Sequence, residues 1–236
     1  EWTGLGPILE EDIAFSSMAQ DEIGHALVWY RLRTEHLGAP DPDRQAFRRD
    51  APGWRNARLV ELPRGDYARS LVRRALFDIA KAVQYDALTH SAWPPLATAA
   101  LKLRQEKKYH LLHNQAYLKR LGVANADSHG RLQTALDALF PAALGLFEPV
   151  DGEAALVAAG VVPPSARLLE LWLGAVLPLL EASTLAAPIV TDGAGGAPRA
   201  AVAALDGGRA GRHGAELDAL LADMQALHRS DPEATW

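Results

Sequence analysis

The chain has 236 residues, no cysteine and a formal net charge of −5. The absence of thiols excludes disulfides, thiolate metal sites, iron–sulfur clusters and cysteine nucleophiles. The mild acidity argues against a nucleic-acid binder, which would carry a basic patch.

Ala and Leu dominate and aromatics are only 7%, a composition that favours helix over strand. The first predicted helix runs from Pro7 to about Leu37. Pro7 suits a first turn, Glu10, Glu11 and Asp12 suit the positive helix start, and Gly38 with Pro40 and Pro42 ends it. Residues 39–65 are proline-rich and charged, with one short helical turn near Arg44–Arg49. Asp66 is a good N-cap for the next helix, which extends to about Ser91. On it Leu71, Ala75, Asp78, Ala82 and Tyr85 form one stripe and Val72, Leu76, Ile79 and Val83 the adjacent one, so Asp78 falls at the edge of the buried face. The basic trio Arg69, Arg73 and Arg74 reads as a solvated face, with a contact to a partner or to a CoA phosphate as the alternative.

Trp93-Pro94-Pro95 breaks the chain, and a third long helix follows from Leu96 to Leu121, with Gly122 as its C-terminal glycine. Shorter helices are predicted at about Ser128–Phe147 and Pro164–Ala182, the latter kinked by Pro178. Thr191–Gly214 is rich in Gly and Ala and reads as an extended loop, not a phosphate cradle. A last helix, about Ala215–Arg229, carries Leu217, Leu220, Leu221, Met224 and Leu227 on its apolar side. No alternating strand pattern stands out, and no apolar run is long enough to span a bilayer. Without a visible secretory signal the expected location is cytoplasmic.

The informative motif is Glu22-Ile23-Gly24-His25, a Glu-x-x-His on the first helix. Residues three apart on a helix share a face, so a carboxylate and an imidazole there can grip one ion. Di-iron carboxylate bundles use this device twice, with a single Glu from each of two other helices. Asp78 could stand in for one single Glu, with a shorter reach. On the third long helix His110 is the other imidazole, but the residue three before it is Lys107. Glu106 precedes His110 by four and is turned by about 100° from the ligand position. A lysine in the ligand shell opposes a divalent cation and can neutralise Glu22 and Asp78 without one. If that cluster is fully buried, Glu22→Ala is expected to strand Lys107 and cost about 3–5 kcal/mol. Glu11 reads as a helix-start carboxylate, and His110 and His113 have the plainer reading of polar residues at a helix interface.

These residues also carry a resemblance. Asp21-Glu22-Ile23-Gly24-His25-Ala26, Phe77-Asp78, Lys107-Lys108-Tyr109-His110, Leu118-Lys119-Arg120-Leu121-Gly122, Leu221-Ala222-Asp223-Met224-Gln225 and the closing Trp236 together resemble the C subunits of bacterial phenylacetyl-CoA epoxidases. The resemblance covers nearly the whole chain. It implies an all-α, ferritin-like helical bundle with long antiparallel helices and additional C-terminal helices, forming a single domain over residues 1–236 with a first bundle helix preceding Glu1. In that family a related A subunit with two intact Glu-x-x-His pairs holds the di-iron centre, and the C subunit supports it. The resemblance therefore implies a non-catalytic structural subunit of phenylacetyl-CoA ring epoxidation in aerobic phenylacetate catabolism. It implies no metal or other cofactor in this chain, and a vestigial cluster of Glu22, His25, Asp78, Lys107 and His110. The expected partners are the di-iron A subunit, other subunits and a reductase, with no nucleic acid and no membrane. Lys107 fits the C subunits, whereas Glu22 and His25 depart from them, since C subunits often lose that pair. The alternative is a chain that itself binds iron and activates oxygen.

Overall fold

A computed structural model describes residues 4–193 and 196–231; Glu1, Trp2 and Trp236 lie outside the described residues. The chain forms an all-α, ferritin-like helical bundle with one small ribbon: α1 (Leu9–Leu37), α2 (Pro42–Phe47), α3 (Tyr67–Leu88), α4 (Pro94–Ala124), α5 (Ala126–Leu144), α6 (Glu153–Ala158), α7 (Ser165–Ala182), β1 (Ile189–Thr191), β2 (Pro198–Ala200) and α8 (Ala215–Ser230). Among the described residues no helix is long and apolar enough to cross a membrane.

The ends of the elements follow local chemistry. Gly38 closes α1 in the left-handed conformation, and its N–H returns to the Arg33 carbonyl. Asp66 caps α3 as expected, its side chain accepting from the Arg69 amide. Pro94 and Pro95 do not merely interrupt the chain: they occupy the first turn of α4, where a missing N–H costs nothing. Gly122 is not a terminator, because α4 runs on to Ala124. A Cβ at Gly122 would lie 2.2 Å from the Ser183 carbonyl oxygen, so the glycine is there for close approach between α4 and the end of α7. The Thr191–Gly214 segment is not wholly a loop either. Its start pairs antiparallel in the ribbon, with Ile189 opposite Ala200 and Thr191 opposite Pro198. Three-residue strands are too short to show an alternating pattern, which is why the sequence hid them.

The apolar core lies between α3, α5 and α7. Leu71, Leu76, Leu136, Leu139, Phe140 and Val176 are fully or almost fully buried there. Trp172 sits at the centre, with the Phe140 ring centroid at 5.4 Å and that of Phe147 at 5.3 Å. Its indole N–H donates to the Leu76 carbonyl at 3.0 Å, so the largest core side chain leaves no polar atom unpaired. On α8 only Leu217 and Leu221 of the expected apolar side are buried; Leu220, Met224 and Leu227 are exposed. The buried Gln225 takes that helix's remaining inward position and donates to the carbonyls of Ala46 and Arg49.

α1 is different. Its buried residues are Glu11, Ala14, Met18 and His25, so half of what it buries is ionisable. It is fastened to α3 and α4 largely by polar contacts, and these build the site.

Candidate functional site: a buried charge cluster between three helices

One turn of α3 and two of α4 bring the cluster together. On α3, Arg74 and Asp78 are four apart and share a face, as do Lys107 and His110, three apart, and Asn114, four further on, along α4. α1 supplies Glu22 from the other side. The Lys107 ammonium donates to Glu22 Oε1, to Asp78 Oδ1 at 2.8 Å and to His110 Nδ1 at 3.1 Å. Arg74 approaches Asp78 Oδ2 at 3.0 Å and His110 Nδ1 at 3.2 Å. The Asn114 amide donates to Asp78 Oδ2 at 2.6 Å. Asp78 is 0% exposed and Lys107 1%, whereas the Glu22 side chain keeps 27% of its surface.

Two expectations are corrected here. Asp78 is not at the edge of the buried face but at its centre, because α4 and α1 both close over it. Arg74 is not a solvated surface residue: its guanidinium turns inward to the Asp78 carboxylate.

With two cationic donors on Nδ1, the His110 ring carries its proton on Nε2, which donates to Asp21 Oδ2 at 2.8 Å. His25 is buried beside it, the two rings stacked with centroids 6.4 Å apart. His25 Nε2 lies 2.7 Å from Glu106 Oε2, while its Nδ1 lies 3.8 Å from Glu22 and has no hydrogen bond. Glu106, turned away from the ligand position, therefore serves as the partner of His25. The structure brings Glu22, His25, Asp78, Lys107 and His110 together. The sequence reading left Arg74, Asn114, Asp21 and Glu106 outside the cluster. The first two were detectable as polar residues on the inward stripes.

The electrostatics are balanced without an added ion. Two carboxylates, Glu22 and Asp78, face two cations, Arg74 and Lys107. Burial works to raise the Asp78 carboxyl, but the Arg74 and Lys107 cations outweigh it and hold the group well below the ordinary carboxylate range. One turn along α3, burial pushes the Lys81 ammonium down to about 8, against the pull of Glu22 and Asp78. Its amine lies over the Phe77 and Tyr85 rings, 5.4 and 5.9 Å from their centroids.

Glu22, Asp78 and His110 each offer a ligand atom, and these atoms lie within 4.8 Å of one another. The trio does not fit a cation as it stands. The Lys107 ammonium is hydrogen-bonded to all three groups, and a second cation, Arg74, is bound to Asp78. A divalent ion would have to displace an ammonium that is itself buried, at a cost of several kcal/mol.

A second polar contact fastens the start of α1. Glu11 is not an exposed helix-start carboxylate but fully buried, accepting from the Tyr67 hydroxyl and from His113 Nε2 at 2.9 Å. Burial, together with the hydrogen bond to Glu11, pushes the Tyr67 hydroxyl well above its ordinary value, so it remains a donor.

The chain is 30% identical, over all 236 of its residues and 91% of the relative, to the C subunit of the 1,2-phenylacetyl-CoA epoxidase of Escherichia coli (strain K12). A family model described as "Phenylacetic acid catabolic protein" matches residues 1–236. With a full-length match to both, the chain belongs to the phenylacetic acid catabolic protein family.

Proposed function

We propose that this chain is the non-catalytic structural subunit of a multicomponent phenylacetyl-CoA ring 1,2-epoxidase. It pairs in the cytoplasm with a di-iron catalytic A subunit, and a separate reductase supplies the electrons. The observation that carries the reading is the Lys107 ammonium bound to Glu22, Asp78 and His110, where a metal-binding relative would need a carboxylate and an ion. In this reading the cluster is a structural relic: it joins α1 to α3 and α4 through charge pairing in place of metal ligation.

A second reading, iron binding and oxygen activation by the chain itself, is favoured by one observation, the convergence of Glu22, Asp78 and His110. Iron content separates the two. The full-length chain, expressed alone in iron-rich medium, is expected to retain essentially no iron. Lys107→Glu, which restores a Glu three residues before His110, is expected to gain some. One or two irons per wild-type chain would overturn the structural reading.

A further inference from the structure

Away from the charge cluster, α8 and the chain leading into it are seated on the stretch between α2 and α3 largely by polar contacts. α8 buries only Leu217, Leu221 and Gln225. Gln225 donates to the Ala46 and Arg49 carbonyls, and Arg229 pairs with Asp50 at 2.7 Å. Just before the helix, a Cβ at Gly208 would strike the Asn56 carbonyl oxygen, so the two backbones pass in direct contact.

His213 closes this seat. Its side chain is 4% exposed and lies between two groups that only accept hydrogen bonds. Nδ1 is 3.0 Å from Oε2 of Glu61, whose side chain is fully buried, and Nε2 is 3.1 Å from the Trp54 carbonyl oxygen. A neutral imidazole has one N–H and one lone pair. It could serve one of these partners and would turn its lone pair on the other. The imidazolium serves both. Turning the ring over gives no escape, since carbon atoms would then face both acceptors. Nor is the missing proton on Glu61, because the same carboxylate is paired with Arg58, a contact that favours its ionised form.

The other charges around the ring are Arg55 and Arg58 on the 54–61 stretch, the exposed Arg212 beside it and Glu216 in the first turn of α8. Arg55 donates to the same Trp54 carbonyl at 2.7 Å. A Cβ at Gly214 would meet both Glu216 Oε2 and Arg58 Nη2, so that pair sits together next to His213. Cations are not scarce here. The direction of the hydrogen bonds, not a surplus of negative charge, selects the doubly protonated ring. The other imidazole of α8, His228, stacks on Phe47 with centroids 5.3 Å apart.

We propose that His213 is a proton-operated latch: doubly protonated, it fastens α8 and the segment before it to the 54–61 stretch, and loss of one proton loosens that seat. Docked α8 takes up the second proton more readily than undocked α8. Docking therefore tightens as pH falls, down to the point where Glu61 itself is protonated, and loosens as pH rises. The latch stands independently of the subunit reading.

The test uses the full-length chain with nitrogen-15-labelled histidine, between about pH 6 and 9. Long-range proton–nitrogen spectra read the His213 ring. Hydrogen-exchange protection factors, in which the intrinsic pH dependence of exchange is divided out, read the α8 amides. Both ring nitrogens are expected to be protonated wherever α8 is protected. Protection of α8 should fall about tenfold across the pH range in which the ring loses its proton, as one hydrogen bond from a charged donor is lost. His213→Gln, which cannot change charge, should show weaker protection at the acid end and no pH step, whereas His228→Gln should keep the step. A His213 ring with one bare nitrogen while α8 is fully protected overturns the latch. So does a step that survives in His213→Gln, or one that disappears in His228→Gln instead. If His213→Gln does not fold, the wild-type ring spectra and exchange decide the matter by themselves.

Discussion

Removing the Asp78 carboxylate is the most informative perturbation of the cluster. It accepts from Lys107 at 2.8 Å, from Asn114 at 2.6 Å and from Arg74 at 3.0 Å, and it is fully buried. Asp78→Ala leaves two cations and an amide facing each other, with only Glu22 to compensate. Breaking a buried pair from one side costs about 3–5 kcal/mol, because the stranded charge stays out of water. The same reasoning revises the expectation for Glu22→Ala. Lys107 then keeps Asp78, and Glu22 is partly solvated, so the loss should be only about 1–2 kcal/mol. Urea unfolding of both variants beside wild type measures the difference, and Asp78→Ala should melt about 6–20 °C lower. A double-mutant cycle with Lys107→Met isolates the pair, with a coupling of about 1–3 kcal/mol expected. If Asp78→Ala loses less than Glu22→Ala, Asp78 is not the hub and the charge balance assigned to the cluster is wrong.

Three further outcomes are expected. Because the folded Asp78 value is depressed, its stabilisation is complete above the ordinary carboxylate value of about 4 and is lost as pH falls below it; Asp78→Asn should flatten the acid limb of a stability-versus-pH curve, and an unchanged limb would contradict the assignment. Lys81 has a folded value of about 8, below its unfolded one, so the unfolded chain binds more protons above pH 8 and stability should rise from there towards about pH 10. Lys81→Met should be more stable than wild type at pH 7 and lose that rise, which chemical denaturation across the range would show. Gly122→Ala gains up to about 1 kcal/mol of helix propensity but places a methyl 2.2 Å from the Ser183 carbonyl. Overpacking costs about 1–3 kcal/mol against backbone that cannot step aside, so a net loss is expected; a higher melting temperature would refute the close-approach explanation.

Much of this protein could be read from local pattern. Helix periodicity, the Asp66 cap and the Gly38 terminus depend on neighbours within a few residues, and the long helices lie close to where those signals place them. The Glu22-x-x-His25 spacing and the Lys107 substitution were likewise visible as short-range facts. The ribbon from Ile189 was not, because its strands are held by partners seven to eleven residues away and carry no period of their own. Nor was Gly122, whose purpose is set by a carbonyl 61 residues further along the chain.

The cluster divides the same way. The one-dimensional pattern placed Glu22 with His25 and Lys107 with His110 on shared helix faces, since the 3.6-residue repeat fixes direction around the axis. Tertiary structure alone decided how they pair. Depth and register between helices turned Asp78 from an edge residue into a hub, drew Arg74 inward, gave His25 to Glu106 and closed Glu11 under Tyr67 and His113. A salt bridge needs its partners within a few ångströms, and no spacing along one helix states the distance to the next.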